Sequence, residues 1–262
     1  MQQDYTRKIS KRTMIKKILF ILYILILVCM AAASIVEKTE GTDYAHVHYY
    51  GAWWFILIWA ALAALGIFYL IQRKVKAVST WVLKRSYQQF RNLLIVIFSL
   101  VGIGFIFLIY HFSHIDFSTG ERAPILNSPY FCLHVSVIMM SYVLLILTCL
   151  CGILGICWRS RQERMRDLSH LFLYPALTTM GFGIFIGAIW ANVSWGNYWS
   201  WDSKETWALI TFMIYAVVVH TQSLPVFRKP LVYHIYITLA FMSIAMTYFG
   251  VNNFLTGMHS YA

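Results

Sequence analysis

The sequence predicts an all-α membrane protein, a polytopic bundle of about seven transmembrane helices. Of its 262 residues, 60% are hydrophobic and only 12% are charged, which is about half the charged share of a soluble domain. So few charges cannot coat a water-soluble globule, and a chain this apolar is not disordered. The apolar runs do not alternate in polarity as barrel strands do, so we expect the spans to be helices.

Seven segments reach the length of about 20 apolar residues that a helix needs to cross a bilayer. They are Ile15–Val36, Trp53–Gln72, Leu93–Phe112, Tyr130–Cys157, Leu171–Asn192, Glu205–Gln222 and Leu231–Gly250. The first follows a basic arm, as a signal peptide does, but its apolar run is long for one and Glu37 follows it directly. We therefore expect an uncleaved helix, a three-helix region over residues 1–120 and a four-helix region over 121–262.

The basic residues predict the orientation of the chain. Eighteen of the 21 lysines and arginines lie in the N-terminal arm or between spans two and three, four and five, and six and seven. The other three are Lys38, Arg122 and Lys204. Because cytoplasmic loops carry the excess of positive charge, the N-terminus is expected in the cytoplasm and the C-terminus outside. The same division argues against nucleic-acid binding as the reason for the formal charge of +11.

Half of the ten tryptophans fall in one short stretch that includes the external loop, WANVSWGNYWSWDSKETW. They are Trp190, Trp195, Trp199, Trp201 and Trp207. An interfacial aromatic belt would instead spread over all helix ends. Clustered indoles offer flat apolar faces and N–H donors, so the loop favours a platform for a large planar ligand. Asp202 and Glu205 have the spacing of a capping box that opens the sixth helix, a role more favoured than acid–base catalysis.

Two histidines are predicted at the depth of this loop, His134 at the start of span four and His259 beyond span seven. Two neutral imidazoles on one membrane face can hold a haem iron from opposite sides, although either alone would be an ordinary interfacial residue. His220 is expected to lie deeper in the membrane than His234, which is equally well explained as interfacial, so His220 is the better functional candidate.

Other motifs exclude several classes of protein. The sequence has no P-loop, no glycine-rich nucleotide fingerprint and no HExxH motif. Its five cysteines form neither CxxC nor CxxCH, so the chain is not expected to be a redox dithiol protein or a c-type cytochrome. The glycines Gly181, Gly183 and Gly187 are expected to allow close helix packing.

Three segments, taken together, resemble one known family. The run WGNYWSWDSKETWALITFMIYAVVVH resembles the tryptophan-rich signature of the CcsA/ResC cytochrome c assembly proteins, which are haem-handling membrane proteins. LHVSVIMMSY and YFGVNNFLTGMHSYA resemble the segments with that family's two outer haem-ligand histidines. The resemblance covers roughly residue 121 to the C-terminus. It implies that His134 and His259 are the outer axial ligands, that Trp195, Trp199, Trp201 and Asp202 belong to the haem platform, and that His220 ligates an intramembrane haem.

The chain also departs from that pattern. Ser203 stands where the family usually has proline. The stretch AAASIVEKTEGTDYAHVHYYGAWWF looks instead like the opening of the partner protein CcsB/ResB. That partner's early helix usually carries a second intramembrane histidine, which span three lacks. Another subunit supplies this ligand, or His234 does, or the inner haem site is altered.

We therefore expect a cytochrome c biogenesis protein of the bacterial inner membrane, part of a cytochrome c synthase system. It would bind haem b and present it outside to apocytochrome c, with a CcsB/ResB-like partner. The external cations make Arg122 and Lys204 the candidates for pairing with haem propionates. The alternatives are a haem carrier or exporter subunit, a b-haem electron-transfer or quinone protein, and a scaffold without haem.

Overall fold

The computed structural model describes residues 2–72, 128–221 and 224–255. Every regular element within these ranges is helical, which confirms the all-α prediction for them. The α-helices are α1 (Gln2–Glu40), α2 (Thr42–Ala45), α3 (Trp53–Gln72), α4 (Pro129–Cys157), α5 (Gln162–Trp195), α6 (Ser203–Val219), α7 (Pro230–Ala245) and α8 (Val251–Phe254). Shorter helical turns are His46–Tyr50, Arg159–Arg161, Pro225–Arg228 and Met246–Gly250. The predicted third span, Leu93–Phe112, lies outside the described residues.

Four of the described helical stretches are long and apolar enough to cross a membrane. They are Met14–Glu40, Tyr130–Cys157, Arg159–Trp195 and Pro230–Phe254. A fifth arises if Thr42–Tyr50 and Trp53–Gly66, which are bent by 49° relative to each other, form one span. The chain is therefore a multi-pass membrane protein by the length and composition of its helices.

The sixth predicted span is a shorter helix than expected. It is α6, which has 17 residues and ends at Val219. At 1.5 Å per residue α6 is about 26 Å long, slightly less than the hydrocarbon thickness of about 30 Å. Seven spans and the orientation of the termini accordingly stay predictions.

Local signals in the sequence explain where the helices begin and end. Prolines occupy the first position of α4 and of α7, where the missing N–H costs no hydrogen bond. Helix α5 ends at Gly196, whose φ of 81° is left-handed and whose N–H donates to the carbonyl of Asn192 at 2.9 Å. This glycine termination releases the chain into the tryptophan-rich loop.

The described residues form two compact units. The first contains residues 2–72, 201–210 and 249–255, and the second contains 128–200, 211–221 and 224–248. In the first unit α1 packs against α3, and in the second α4 packs against α5 and α7. Leu145, Leu173 and Ile237 are fully buried in the second unit. The predicted boundary at residue 120 lies outside the described residues and stays a prediction.

Candidate functional site

His134 lies in the second turn of α4, and its ring makes a hydrogen bond to α5. Its Nδ1 atom is 2.8 Å from the carbonyl oxygen of Gly183 on α5. Because a carbonyl oxygen only accepts, Nδ1 donates its hydrogen, and in the neutral ring Nε2 carries the lone pair. Backbone carbonyls that hold the remote ring nitrogen in this way orient metal-ligating histidines. The ring of His134 is thus held in the tautomer that can bind iron through Nε2.

Two glycines of α5 make room for α4 at this point. A Cβ atom on Gly187 would lie 2.6 Å from both Cε1 and Nδ1 of His134. One on Gly183 would lie 2.6 Å from the side chain of Ile138. The prediction of close packing is confirmed at these two positions, whereas at Gly181 the nearest atom is 3.7 Å away, an ordinary contact. The imidazole of His134 therefore rests directly on the surface of α5.

Trp190 and Trp195 complete this cluster in the second unit. The Trp190 side chain is fully buried and nearly parallel to the His134 ring, with a centroid distance of 6.4 Å and an angle of 9°. Trp195 meets Trp190 edge-on at 4.8 Å, and Phe131 lies 5.1 Å from it. Residues from α4 and α5 therefore place an imidazole and two indoles together, and their role as parts of one ligand site stays a prediction.

Asp202 caps α6 at the end of the loop. Its Oδ1 atom accepts a hydrogen bond from the Lys204 N–H at 2.9 Å, and its carbonyl accepts the first helical bond, from Thr206. This confirms the predicted capping role of Asp202. The Lys204 ammonium donates to Asn252 at 2.8 Å. Burial lowers the pKa of Lys204, although Asp202 acts in the opposite direction.

The first unit also contains three site residues that the sequence reasoning missed. Tyr50 stacks on Trp201 with a centroid distance of 4.8 Å and an angle of 6°. Phe55 meets Trp201 edge-on at 5.6 Å. Glu37, which is 3% exposed, accepts a hydrogen bond from the Ser203 hydroxyl at 3.0 Å. The signals that pointed to them were the aromatic run YYGAWWF and an acidic residue at the end of an apolar span.

The other predicted tryptophans lie along the same stretch of chain. Trp199 lies in the irregular segment between α5 and α6, and Trp207 lies in the second turn of α6; both are partly buried. The structure thus brings Trp190 and Trp195 to His134 within the second unit, and Trp201 to Tyr50 within the first. Arg122 and His259 lie outside the described residues, so their predicted roles stay predictions.

His220 and His234 differ in exposure, and their predicted depths in the membrane stay predictions. Helix α6 ends at Val219, so His220 lies in the following turn and is exposed. His234 is fully buried. Its Nε2 donates to the carbonyl of Gln162 at 2.9 Å, and its ring packs against Gly155. A Cβ on Gly155 would lie 2.4 Å from that ring. Contacts from α4 and α5, which a local pattern does not contain, bury His234.

Within the described ranges, no group of three or more His, Cys, Asp or Glu side chains has the arrangement of a metal site. Their five cysteines are all free thiols. A haem site needs one or two axial ligands and apolar surroundings, and His134 and its indoles are residue types of these two kinds. The fold and this cluster together define a multi-pass helical membrane protein with a histidine–tryptophan site near the end of its α4–α5 pair.

Comparison with known proteins then identifies the family. Residues 75–259 match the family described as Cytochrome C assembly protein. The match covers well over half of the chain, so the chain belongs to this family, as the sequence predicted. The match begins before residue 121, where the resemblance was expected to start. The CcsB/ResB-like origin of the N-terminal segment stays a prediction.

Individual relatives agree with the family. The chain is 36% identical over 163 residues to a protein named NrfI from Wolinella succinogenes, which covers 58% of this chain and 18% of that protein. It is 34% identical over 168 residues to the cytochrome c biogenesis protein CcsA of Guillardia theta, covering 53% and 56%. With CcsA of Chlamydomonas reinhardtii it shares 34% over 151 residues, covering 53% and 42%. The chain thus spans between about a fifth and just over half of the length of these relatives.

Proposed function

We propose that this protein acts in cytochrome c biogenesis by binding haem b at the His134 cluster and presenting it outside the membrane to apocytochrome c. The observation that carries the proposal is the hydrogen bond from His134 Nδ1 to Gly183, which holds the ring in the tautomer that can bind iron through Nε2. Family membership supports the choice of haem over another planar ligand. His259 is the proposed second axial ligand, by resemblance to the family's outer ligand pair.

The indoles would hold the ring of the bound haem. Trp195, which is partly buried, is proposed to contact the macrocycle with its indole, whereas the fully buried Trp190 supports Trp195 and the His134 ring from behind. Trp199, Trp201 and Trp207 are proposed as further haem-binding residues, because they belong to the same tryptophan-rich stretch. Arg122 and Lys204 are the proposed partners of the two propionates, because they are two of the three cations that the charge pattern assigns to the external side.

The covalent step needs little chemistry from the protein. Each cysteine thiol of a CxxCH motif adds across a haem vinyl group, forming one C–S bond and one C–H bond, with no atom lost and no oxidant consumed. The thiols must be free and the haem reduced. Holding both reactants in contact therefore supplies most of the rate, so the contribution of the protein is positioning.

The membrane arrangement follows from the charge pattern. With 18 of 21 cations on alternate loops, we propose a cytoplasmic N-terminus, an external tryptophan-rich loop and a location in the bacterial inner membrane. A CcsB/ResB-like subunit is the proposed partner. His220 lies exposed in the turn after α6, and we propose that it ligates an inner haem together with a histidine of that partner.

The test is the absorption spectrum of the purified chain, followed by histidine variants. We expect a spectrum of low-spin haem with two histidine ligands. The double change His134→Ala and His259→Ala should remove it. His134→Gly should lower haem content, and added imidazole should restore it. The matched control is His48→Gly, because the Nδ1 atom of this exposed histidine also bonds a backbone carbonyl, that of Tyr44.

Unchanged haem content in the double variant would show that the outer ligands are wrongly assigned. Covalent haem staining of a reporter cytochrome, co-expressed with and without a CcsB/ResB-like partner, separates the remaining possibilities. Haem binding without covalent attachment in both cases would favour a carrier or exporter. Haem that is reduced by quinol and never released would favour an electron-transfer protein, and a colourless protein would favour a scaffold.

A further inference from the structure

We propose that the N-terminal helical segment positions Trp201 as part of the ligand platform, with Tyr50 as the positioning residue. Tyr50, Phe55 and Glu37 all precede residue 75, where the family match begins. The platform part of this inference rests on the proposed haem-binding function. The orientation of Trp201 by Tyr50 does not, and it can be measured without any ligand.

The first observation is the backbone of Trp201. Its φ is 58°, and it is the one non-glycine residue with a positive φ among those that the structure describes. This left-handed conformation is rare for a large side chain and persists only where the surroundings hold it. Strain of this kind is concentrated at functional sites, and the contacts around Trp201 must hold it in place.

Two aromatic rings hold the indole of Trp201. The ring of Tyr50 is parallel to it at 4.8 Å, and Phe55 meets it edge-on at 5.6 Å with an angle of 74°. Tyr50 is 5% exposed and Phe55 is 2% exposed, so neither ring has room to move away. One stacked and one perpendicular neighbour together define the plane of the indole, because each of these geometries is a preferred one.

Hydrogen bonds hold the backbone at the same corner. The Thr206 hydroxyl donates to the Trp201 carbonyl at 3.2 Å and lies 3.5 Å from the Tyr50 hydroxyl. The Ser203 hydroxyl donates to Glu37 at 3.0 Å, and both of these side chains are buried. A hydrogen bond between two buried polar side chains is costly to leave unmade. Contacts from the end of α1 and from the turn before α3 therefore fix the position of the loop residues around Trp201.

These contacts preorganise the Trp201 indole for ligand binding. An indole whose plane is already defined loses little freedom when a planar macrocycle stacks on it, so preorganisation adds to affinity. Without Tyr50 the same indole would have to be ordered by the ligand. We therefore expect Tyr50 to affect haem retention through Trp201, without touching the haem.

The experiment uses the full chain in detergent and two independent readouts. Hydroxyl-radical labelling of Trp201, read by mass spectrometry, reports the exposure of the indole without ligand. Haem content after washing, measured as the pyridine haemochrome, reports retention of added haemin. The variants are Tyr50→Leu, Trp201→Gly and their combination, with Tyr44→Leu as the control, because Tyr44 is exposed in the same segment.

Tyr50→Leu should raise labelling of Trp201 severalfold and lower haem retention about threefold to tenfold, as expected for one lost aromatic contact. In the Trp201→Gly background the same change should lower haem retention by less than about twofold, because sites that act through each other are not additive. Tyr50→Phe keeps the ring and should behave as the unmodified protein. Phe55→Leu gives a second measurement if Tyr50→Leu does not fold.

Unchanged labelling of Trp201 in Tyr50→Leu would overturn the positioning role. An equal loss of haem in both backgrounds would show that Tyr50 acts elsewhere than through Trp201. If the unmodified protein retains no haem, the proposed function fails, and labelling alone still decides whether Tyr50 orients Trp201.

Discussion

The change Gly187→Ala tests most directly whether the close packing of the His134 ring against α5 is needed for haem binding. The added Cβ would lie 2.6 Å from two atoms of the His134 ring, whereas carbon contacts begin near 3.5 Å. The imidazole would have to move by about 1 Å. Its hydrogen bond to the Gly183 carbonyl, now 2.8 Å, would then be broken.

Effects of opposite sign follow from this substitution. Replacing glycine by alanine within a helix stabilises the helix by about 1 kcal/mol, whereas losing the His134 hydrogen bond costs about 1 kcal/mol and displacing the packed ring costs about 1–3 kcal/mol. The free energy of unfolding should therefore fall by about 1–3 kcal/mol, as it should for Gly155→Ala. Losing the group that orients a metal-ligating histidine lowers affinity about 10- to 100-fold. The variant should thus be folded but poor in haem.

The assay is a titration of the haem-free protein with haemin, followed by the Soret absorption and accompanied by thermal unfolding. Gly181→Ala on the same helix is the matched control, because its Cβ would meet nothing closer than 3.7 Å. This control should bind haemin as the unmodified protein does. If Gly187→Ala binds haemin within about twofold of the unmodified protein, the inferred role of the Gly183 hydrogen bond is refuted.

Two further changes test the packing around the site. In Gly155→Ala the new Cβ would lie 2.4 Å from the His234 ring, so this change should lower the free energy of unfolding, measured by thermal denaturation, by about 1–3 kcal/mol. Gly66→Ala is the control, because its Cβ would meet no atom within 4 Å. Equal melting temperatures of the two variants would show that the His234 ring can move at little cost. Asp202→Ala removes the acceptor for the Lys204 N–H and should cost about 1 kcal/mol. Asp202→Asn should keep most of that stability, and a full loss of stability in it would contradict the capping role.

Local patterns predicted the helices well where one segment decides the outcome. Trp53–Gln72 is a helix with the predicted bounds, and Tyr130–Cys157 differs from α4 by one residue. In a bilayer every backbone group must bond within its own segment, so a long apolar run has few alternatives to a helix. Asp202 was likewise predictable, because a cap depends on residues only two to four positions away.

The candidate site was predictable in its residue types but only partly in its contacts. His134 was predicted from its depth in the membrane, yet its tautomer depends on Gly183, 49 residues later in the chain. His220 is exposed and His234 is buried, which no local pattern shows, since the end of α6 and the packing of α4 on α7 decide their exposure. The length of an apolar run predicts that a helix can span the membrane. It does not predict which neighbouring helix packs against each face of that helix.

The sequence by itself determined an all-helical membrane chain, a cluster of tryptophans between two histidines, and the cytochrome c assembly family. These properties follow from composition, spacing and short motifs, in which each residue is judged with its near neighbours. Only the tertiary structure decided which side chains support that cluster. Gly187 leaves room for the His134 ring, Tyr50 stacks on Trp201, and Glu37 accepts a hydrogen bond from Ser203 close to Trp201 in the chain. The physical reason is that packing and hydrogen bonding join residues between 49 and 166 positions apart, and their geometry exists only once the helices have assembled.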